Sequence, residues 1–321
     1  MYQNIEHFIA THALIERNQK IVVGLSGGPD SVFLLYFLAS LQSTHNITLI
    51  AAHLNHEWRP ESSQEQQDCQ ALAHALHIPF VTTKRSELSA SFKHNGSQEE
   101  YGRKLRRYFF EKVLNEHNAD SIALAHHAQD QEETFFIRLI RGSSLTGLTA
   151  IKAKNGHYIR PLLETHKTDI LDWLHKQNIL YATDKTNDLP DYLRNRIRIE
   201  VLPALRKCDE RFEINFLTTL NRLKSTELFL ERLTQKTFDE ISSTDHNQRI
   251  INIPQLLNTD EALHHRIVLH WLITENVSFP LSQAFFDEII RFLKTPHGGT
   301  HSIHQNWSLI KKQKTAFLVK K

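Results

Sequence analysis

Cysteine is nearly absent from this chain of 321 residues: there are two, Cys69 and Cys208, far apart and in no metal-like spacing. That excludes a disulfide framework and makes a reducing cytoplasm the simplest setting. Long apolar runs are missing too. The longest, around residues 32–39, falls far short of the ~20 residues that a membrane-spanning helix needs. Met1-Tyr2-Gln3-Asn4-Ile5-Glu6 lacks the basic and apolar segments of a signal peptide. No internal repeat or low-complexity tract occurs. The net charge is only +2, so bulk electrostatics does not announce a nucleic-acid binder. What remains is an ordinary globular composition, 40% hydrophobic and 23% charged, long enough for one large domain and one small.

The charge is unevenly spread. Arg103, Lys104, Arg106, Arg107 and Lys112 cluster, as do Arg194, Arg196, Arg198, Arg206, Lys207 and Arg211; the 33 residues after Glu288 carry seven Lys/Arg and no acid. Such faces can bind phosphates, although each taken alone also reads as a solvated helix face.

The richest stretch is Gly24-Leu-Ser-Gly-Gly-Pro-Asp-Ser31, set between an apolar β-type run, Ile21-Val22-Val23, and a helical apolar pattern from Val32 to Leu38. Strand, glycine turn and helix start aim free backbone N–H groups at one point outside a sheet. Gly27 and Gly28 permit a sharp turn and a close approach, and Pro29 suits a first helical position. Ser26 and Ser31 add hydroxyls, and Asp30 brings a carboxylate where a phosphate-bound Mg²⁺ could sit. A nucleotide phosphate is the natural occupant. No Gly-Lys-Ser/Thr follows, so a Walker-type lysine is not implied.

Strand-like and helical patterns alternate over residues 20–25, 31–42, 47–54, 64–77, 79–83, 98–117, 120–125 and 130–141. This predicts an α/β domain with a parallel, Rossmann-like sheet, whose ligands sit beyond the carboxyl ends of the strands. Residues 164–211 read as helical and polar. Helices over 213–240, 259–275 and 281–294, then small strands within 309–319, predict a smaller, mainly helical C-terminal domain with a short β segment. The expected domains are 1–212 and 213–321.

Four further blocks carry chemistry. His53-Leu54-Asn55-His56-Glu57-Trp58-Arg59 ends a strand at the ligand edge. His126-His127-Ala128-Gln129-Asp130-Gln131-Glu132-Glu133-Thr134 follows another. If Asp130 opens a helix, Asp130 and Glu133 share a face, where two acids can hold Mg²⁺ or take a proton from an amine; a helix cap is the plainer alternative. In Glu100 to Phe110, Arg103, Arg106 and Arg107 share a helical side suited to phosphate, and Tyr108, Phe109 and Phe110 read as core. Asp184 to Arg198 reads as a turn leading into a basic helix.

Taken in this order the blocks, with Arg141-Gly142-Ser143, Gly147-Leu148 and Arg160-Pro161-Leu162, resemble the tRNA(Ile)-lysidine synthetase family of N-type ATP pyrophosphatases. The likeness covers roughly residues 20–205. It implies ATP-dependent attachment of L-lysine to C2 of the wobble cytidine in the CAU anticodon of tRNA(Ile), through an adenylated cytidine, with release of pyrophosphate and AMP. AUA is then read as isoleucine.

The resemblance further implies that Ser26, Gly27, Gly28, Pro29, Asp30, Ser31, His53 and Arg106 bind ATP. Asp30, Arg106, Asp130 and Glu133 would be catalytic, with Asp30 and Asp130 on Mg²⁺. Asn55, His56, Arg59, Arg103, Thr134, Arg194, Asn195 and Arg198 would meet tRNA or substrate, and the C-terminal domain would grip the tRNA. A homodimer is left open. Gln129 departs from the family, which shows two consecutive acids where this chain has Gln129-Asp130. Two rivals stand beside this reading. A tRNA thiolase on the same scaffold usually needs paired cysteines or an iron–sulfur cluster; a catalytically silent tRNA-binding protein would bind RNA without ATP–pyrophosphate exchange.

Overall fold

The structure is a computed structural model that describes residues 1–88, 98–182, 192–246, 248–280 and 282–321. Contacts divide it into two units, Met1–Asn221 and Arg222–Lys321.

In the first unit the chain runs α1 (Tyr2–Thr11), β1 (Lys20–Gly24), α2 (Pro29–His45), β2 (Thr48–Asn55), α3 (Ser62–Ala75), β3 (Phe80–Lys84), α4 (Gln98–Glu116), β4 (Ser121–Ala123), α5 (Ala128–Ile140) and a short α6 (Leu145–Leu148). A two-residue pair follows, β5 (Lys154–Asn155) and β6 (Tyr158–Ile159), then α7 (Lys167–Lys176). α8 (Leu193–Arg196) and α9 (Leu202–Cys208) are joined by a π-helical stretch, Ile197–Val201, and α10 (Phe212–Ile241) begins here and ends in the second unit.

The sheet order is β3-β2-β1-β4-β6-β5. β1 pairs in parallel with β2 and β4, β2 with β3, and β4 with β6; only the edge pair β5–β6 is antiparallel. Both faces are covered, which is why the central strands are continuously apolar. Ile21 and Val23 of β1 join Phe33, Leu34, Phe37, Ile170 and Leu174 on one face. Val22 joins Ile50, Leu105, Phe109, Phe110 and Val113 on the other. Phe109 and Phe110 are thus core, as expected, whereas Tyr108 is exposed. α2 buries Val32, Phe33, Leu34, Leu35, Phe37 and Leu38, so it is apolar all round rather than striped. Tyr2 of α1 closes over it, edge-on to Phe37 at 5.0 Å.

The topology places the site. The chain lays β2 and β3 on one side of β1 and then crosses to β4 on the other. The carboxyl ends of β1 and β4 therefore flank the crevice where open α/β sheets bind ligands. The loop 25–28 leaves β1 there, and residues 124–127 leave β4.

In the second unit, α11 (Ile253–Leu257), α12 (Glu261–Thr274) and α13 (Gln283–Lys294) accompany five strands: β7 (Ser242–Asp245), β8 (Gln248–Asn252), β9 (Gly299–His304), β10 (Trp307–Lys312) and β11 (Thr315–Lys320). Their order is β7-β8-β11-β10-β9, antiparallel throughout. The β segment expected within 309–319 is therefore part of a larger sheet, whose other strands (Ser-Ser-Thr-Asp in β7, Gly-Thr-His-Ser in β9) carry little apolar alternation. Phe238, Ile251, Ile267, Trp271, Ile289, Leu293, Leu309 and Ala316 form its core. Lys311 of the basic tail turns inward: its ammonium donates to Leu293 O at 2.7 Å and to Thr295 O, where it satisfies the open carbonyls at the end of α13.

Candidate active site

The loop between β1 and α2 is built from its own side chains. Gly27 takes φ +84°, a conformation open to glycine at no steric cost. Ser31 is buried. Its Oγ donates to Gly28 O at 2.9 Å, accepts the Ser26 N–H at 3.1 Å and lies 3.0 Å from Ser26 Oγ. The two serines thus brace the turn from within. Pro29 opens α2 at its first position, as the sequence predicts. A Cβ on Gly27 would stand 3.3 Å from Cys69 Sγ, so the loop is backed by a buried thiol. Burial pushes that thiol up to about 12. His53 supports the loop from β2, with Nδ1 2.9 Å from Leu25 O, and burial lowers its pKa.

Gly27→Ala is expected to add ~1–3 kcal/mol of backbone strain at this turn and to weaken binding of a nucleotide triphosphate about tenfold or more. Gly156→Ala is the control: its φ is +57° with nothing within 4 Å of the added carbon, so it should lose stability and keep affinity. Thermal unfolding and calorimetric titration of ATP separate the two.

Across the crevice, α5 presents its acids. Asp130 Oδ2 accepts the His127 N–H at 2.9 Å, so the capping alternative is realised as well. The same carboxylate lies 3.6 Å from His127 Nε2, and Asp30 Oδ2 lies 3.7 Å from that nitrogen. The two aspartates foreseen as metal ligands therefore converge on one imidazole. Lys167 of α7 donates Nζ to Asp30 Oδ1. Arg194 bridges Asp130 and Glu133, with Nη2–Oδ1 and Nε–Oε2 both at 2.5 Å, and Arg198 Nε donates to Glu133 Oε1 at 2.8 Å. Arg198 Nη2 also reaches Asn195 Oδ1 at 3.2 Å. The result is one connected chain of polar groups: Lys167, Asp30, His127, Asp130, Arg194, Glu133, Arg198. Burial works to raise the Asp130 pKa, but His127, His126 and Arg194 outweigh it and hold it below the usual carboxylate value. His126 is pushed down to about 4 by burial, and is neutral at physiological pH.

A second cluster lies beneath. Glu132 is fully buried, 2.7 Å from Arg206, which also meets Glu213 at 2.6 Å. Burial raises Glu132 to about 7, against the pull of Arg206. Its Oε1 has no hydrogen-bond partner among the described residues. A carboxyl raised in the folded state destabilises that state once ionised. Stability is therefore expected to fall as pH rises from about 4.5 to about 7, by roughly 3 kcal/mol, and to level off above. Glu132→Gln should flatten that slope in urea titrations across the same window.

The remaining expected residues divide. Asn55 is buried; its amide donates to Ser62 O at 3.2 Å and Gln66 Oε1 at 2.9 Å, and its Oδ1 accepts the Glu57 N–H at 2.9 Å. With both amide hydrogens spent inside the protein, Asn55 braces the β2–α3 connection instead of offering a donor to RNA. Arg59 pairs with Glu65 at 2.9 Å in the same connection. His56 stacks on Trp58 at 4.3 Å; burial, helped by the Arg106 charge, lowers it to about 3. Trp58 in turn packs on Gly102 of α4, where a Cβ would collide with its ring. Arg103 and Arg106 lie on the exposed side of α4, and Thr134 follows Glu133 on α5, partly buried. Asp184 to Asp188 lie outside the described residues.

Three arginines of the second basic cluster, Arg194, Arg198 and Arg206, prove to be partners of the α5 acids. Lys167, Glu132 and Arg206 escaped the sequence reading as site residues. Lys167 had one local signal: a cation in the first turn of a helix opposes the helix dipole, and so asks for an anion nearby.

These features define an α/β nucleotide-binding domain of PP-loop type, and the PP-loop domain family model matches residues 1–205. A tRNA(Ile)-lysidine synthase of Clostridium acetobutylicum is 30% identical over 315 residues, covering 95% of this chain and 67% of that protein. One of Bacillus cereus is 30% identical over 301 residues, covering 91% and 63%. One of Clostridium perfringens is 34% identical over 275 residues, covering 84% and 58%. The chain belongs to the tRNA(Ile)-lysidine synthase family. It spans less than two thirds of the length of most of the curated relatives it matches. Among solved structures, the U34-tRNA thiolase NcsA from Methanococcus maripaludis, with its [4Fe-4S] cluster, superposes with a TM-score of 0.57 at 17% identity, over 69% of this chain and 78% of that one. At that identity the likeness concerns the fold.

Proposed function

We propose that the chain forms lysidine: it joins the ε-amine of free L-lysine to C2 of the wobble cytidine in a CAU anticodon of tRNA(Ile), using ATP. The observation that supports this most is that Asp30, from the glycine turn, and Asp130 of α5 converge on His127, with Arg194 tying Asp130 to Glu133. In the first step O2 of the cytidine attacks the α-phosphorus, the P–O bond to the β-phosphate breaks, and pyrophosphate leaves. In the second the lysine amine attacks C2, the C2–O bond breaks, and AMP leaves.

The attacking amine has a reference pKa of about 10.4, so a carboxylate must take its proton. Glu133 and Asp130 would take that role. An incoming ammonium carries the same charge as the guanidinium groups of Arg194 and Arg198, and so competes with them for these acids. Arg106 would steady the charge that develops on the α-phosphate.

Asp30 and Asp130 would hold Mg²⁺, one or two carboxylates with phosphate oxygens being the usual manner of binding this ion; both lie against His127 Nε2, at 3.7 and 3.6 Å, so the imidazole would have to turn aside. The ion would offset the charge of the triphosphate. Residues 1–212 would carry the chemistry and 213–321 would hold the tRNA, in a cytoplasmic setting; no helix among the described residues is long and apolar enough to cross a membrane.

The test is ATP-dependent incorporation of labelled lysine into an unmodified tRNA(Ile) transcript, followed by mass analysis of the nucleoside. RNA binding without pyrophosphate exchange would favour a silent binding protein. For the thiolase alternative, Cys69→Ser with Cys208→Ser decides: lysine transfer should survive the double change, whereas sulfur transfer would not. The raised pKa of Cys69 already argues against a thiolate nucleophile.

A further inference from the structure

The glycine turn has no lysine of its own, yet one reaches it. Lys167 lies 137 residues beyond Asp30 in sequence, and its ammonium rests on the Asp30 carboxylate. Its placement is held by Gln129, in the first turn of α5. The Gln129 Oε1 accepts the Lys167 N–H at 2.9 Å, at the start of a helix whose N-cap, His166, makes no side-chain capping bond. One residue thus caps α7 and fixes the backbone from which the lysine projects. A carboxylate could accept the same N–H, so a helix-capping role here does not need an acid. A cation in the first turn is unfavourable against the helix dipole, and Asp30 offsets it only while no metal or phosphate claims that carboxylate.

We propose that Lys167 is a nucleotide-binding residue that takes the β- and γ-phosphates of the triphosphate, and that Gln129 is its positioning residue. This rests on the ATP reading above. When Mg²⁺ and the triphosphate enter, the ammonium moves from Asp30 to phosphate oxygen, which frees the carboxylate. The turn then holds the phosphates with backbone N–H groups, while α7 supplies the point charge that a Walker loop would carry within itself. Because the contact is to the leaving pyrophosphate, Lys167 distinguishes triphosphate from AMP.

The experiment is calorimetric titration of the full chain with α,β-methylene-ATP and Mg²⁺, and separately with AMP, for wild type, Lys167→Met, Lys167→Arg, Gln129→Ala and Gln129→Glu. Lys167→Met should weaken the triphosphate analogue about tenfold, equivalent to about 1.4 kcal/mol, and leave AMP within about twofold. Lys167→Arg should recover most of the loss. Gln129→Ala should show the same selective loss in smaller degree, and Gln129→Glu should restore it. AMP affinity reports that each variant is folded. An unchanged ratio of the two affinities in Lys167→Met, with wild type binding both nucleotides, overturns the proposal alone. A wild type that binds neither removes the ATP reading itself.

Discussion

Asp130→Asn combined with Glu133→Gln is expected to reduce lysine transfer by between about 10²- and 10⁴-fold, the range that a positioned general base contributes. Both substitutions keep the size and leave an acceptor oxygen toward Arg194 and Arg198, so the crevice should persist. What they remove is the ability to take the ammonium proton. Tested singly, the two acids should part. Asp130 shares His127 with Asp30 and would hold the metal with it under the reading proposed above, so its loss should slow the first step, read as tRNA-dependent ATP–pyrophosphate exchange, along with the second. Glu133 is almost fully buried and its ion pairs among the described residues are with Arg194 and Arg198, so its loss should slow transfer while exchange persists. Wild-type transfer rates in both single variants would end the assignment of the proton acceptor to this pair.

Much of this crevice was legible in the chain because its parts are local. A glycine turn between an apolar strand and an apolar helix, and two acids three residues apart at the next helix start, can be read from spacing alone. What was not legible depends on chain reversal. Lys167 meets Asp30, and Arg206 meets Glu132, only because α7 returns to α2 and α9 to α5. No periodicity records such a meeting. The basic run 194–211 illustrates the same limit from the other side. Its charges suggest a face for RNA, yet three of its arginines neutralise acids of α5, and in the linear sequence the acids and bases stand as separate features. Asn55 misled for a related reason: a polar residue at a strand end looks like a ligand group until the donors inside the next connection are counted. In the second unit, helices with strong apolar faces were visible, whereas β7 and β9 were not, because edge strands with polar sequence carry little alternation.

The buried pair Glu227–Arg266 in the second unit should be the most costly single interaction to break there. Arg266 of α12 donates Nη1 to Glu227 Oε1 at 2.9 Å and Nη2 to Oε2 at 2.7 Å, a bidentate geometry on a carboxylate of α10 that is only 3% exposed. Arg266→Ala takes that fork away from a charge held out of water, at an expected cost of ~3–5 kcal/mol. Replacing both partners, Glu227→Leu with Arg266→Leu, removes the charge as well as its partner and should be close to neutral. Trp271 and Trp307 report on this unit, so urea unfolding followed by fluorescence in a Trp58→Phe, Trp173→Phe background reads it separately. A cost below ~1 kcal/mol for Arg266→Ala would place the pair with solvated surface bridges instead. The functional consequence follows from the division of labour proposed above. If the second unit grips tRNA while the first binds ATP, loosening it through Arg266 should weaken tRNA binding and leave the affinity for the ATP analogue unchanged.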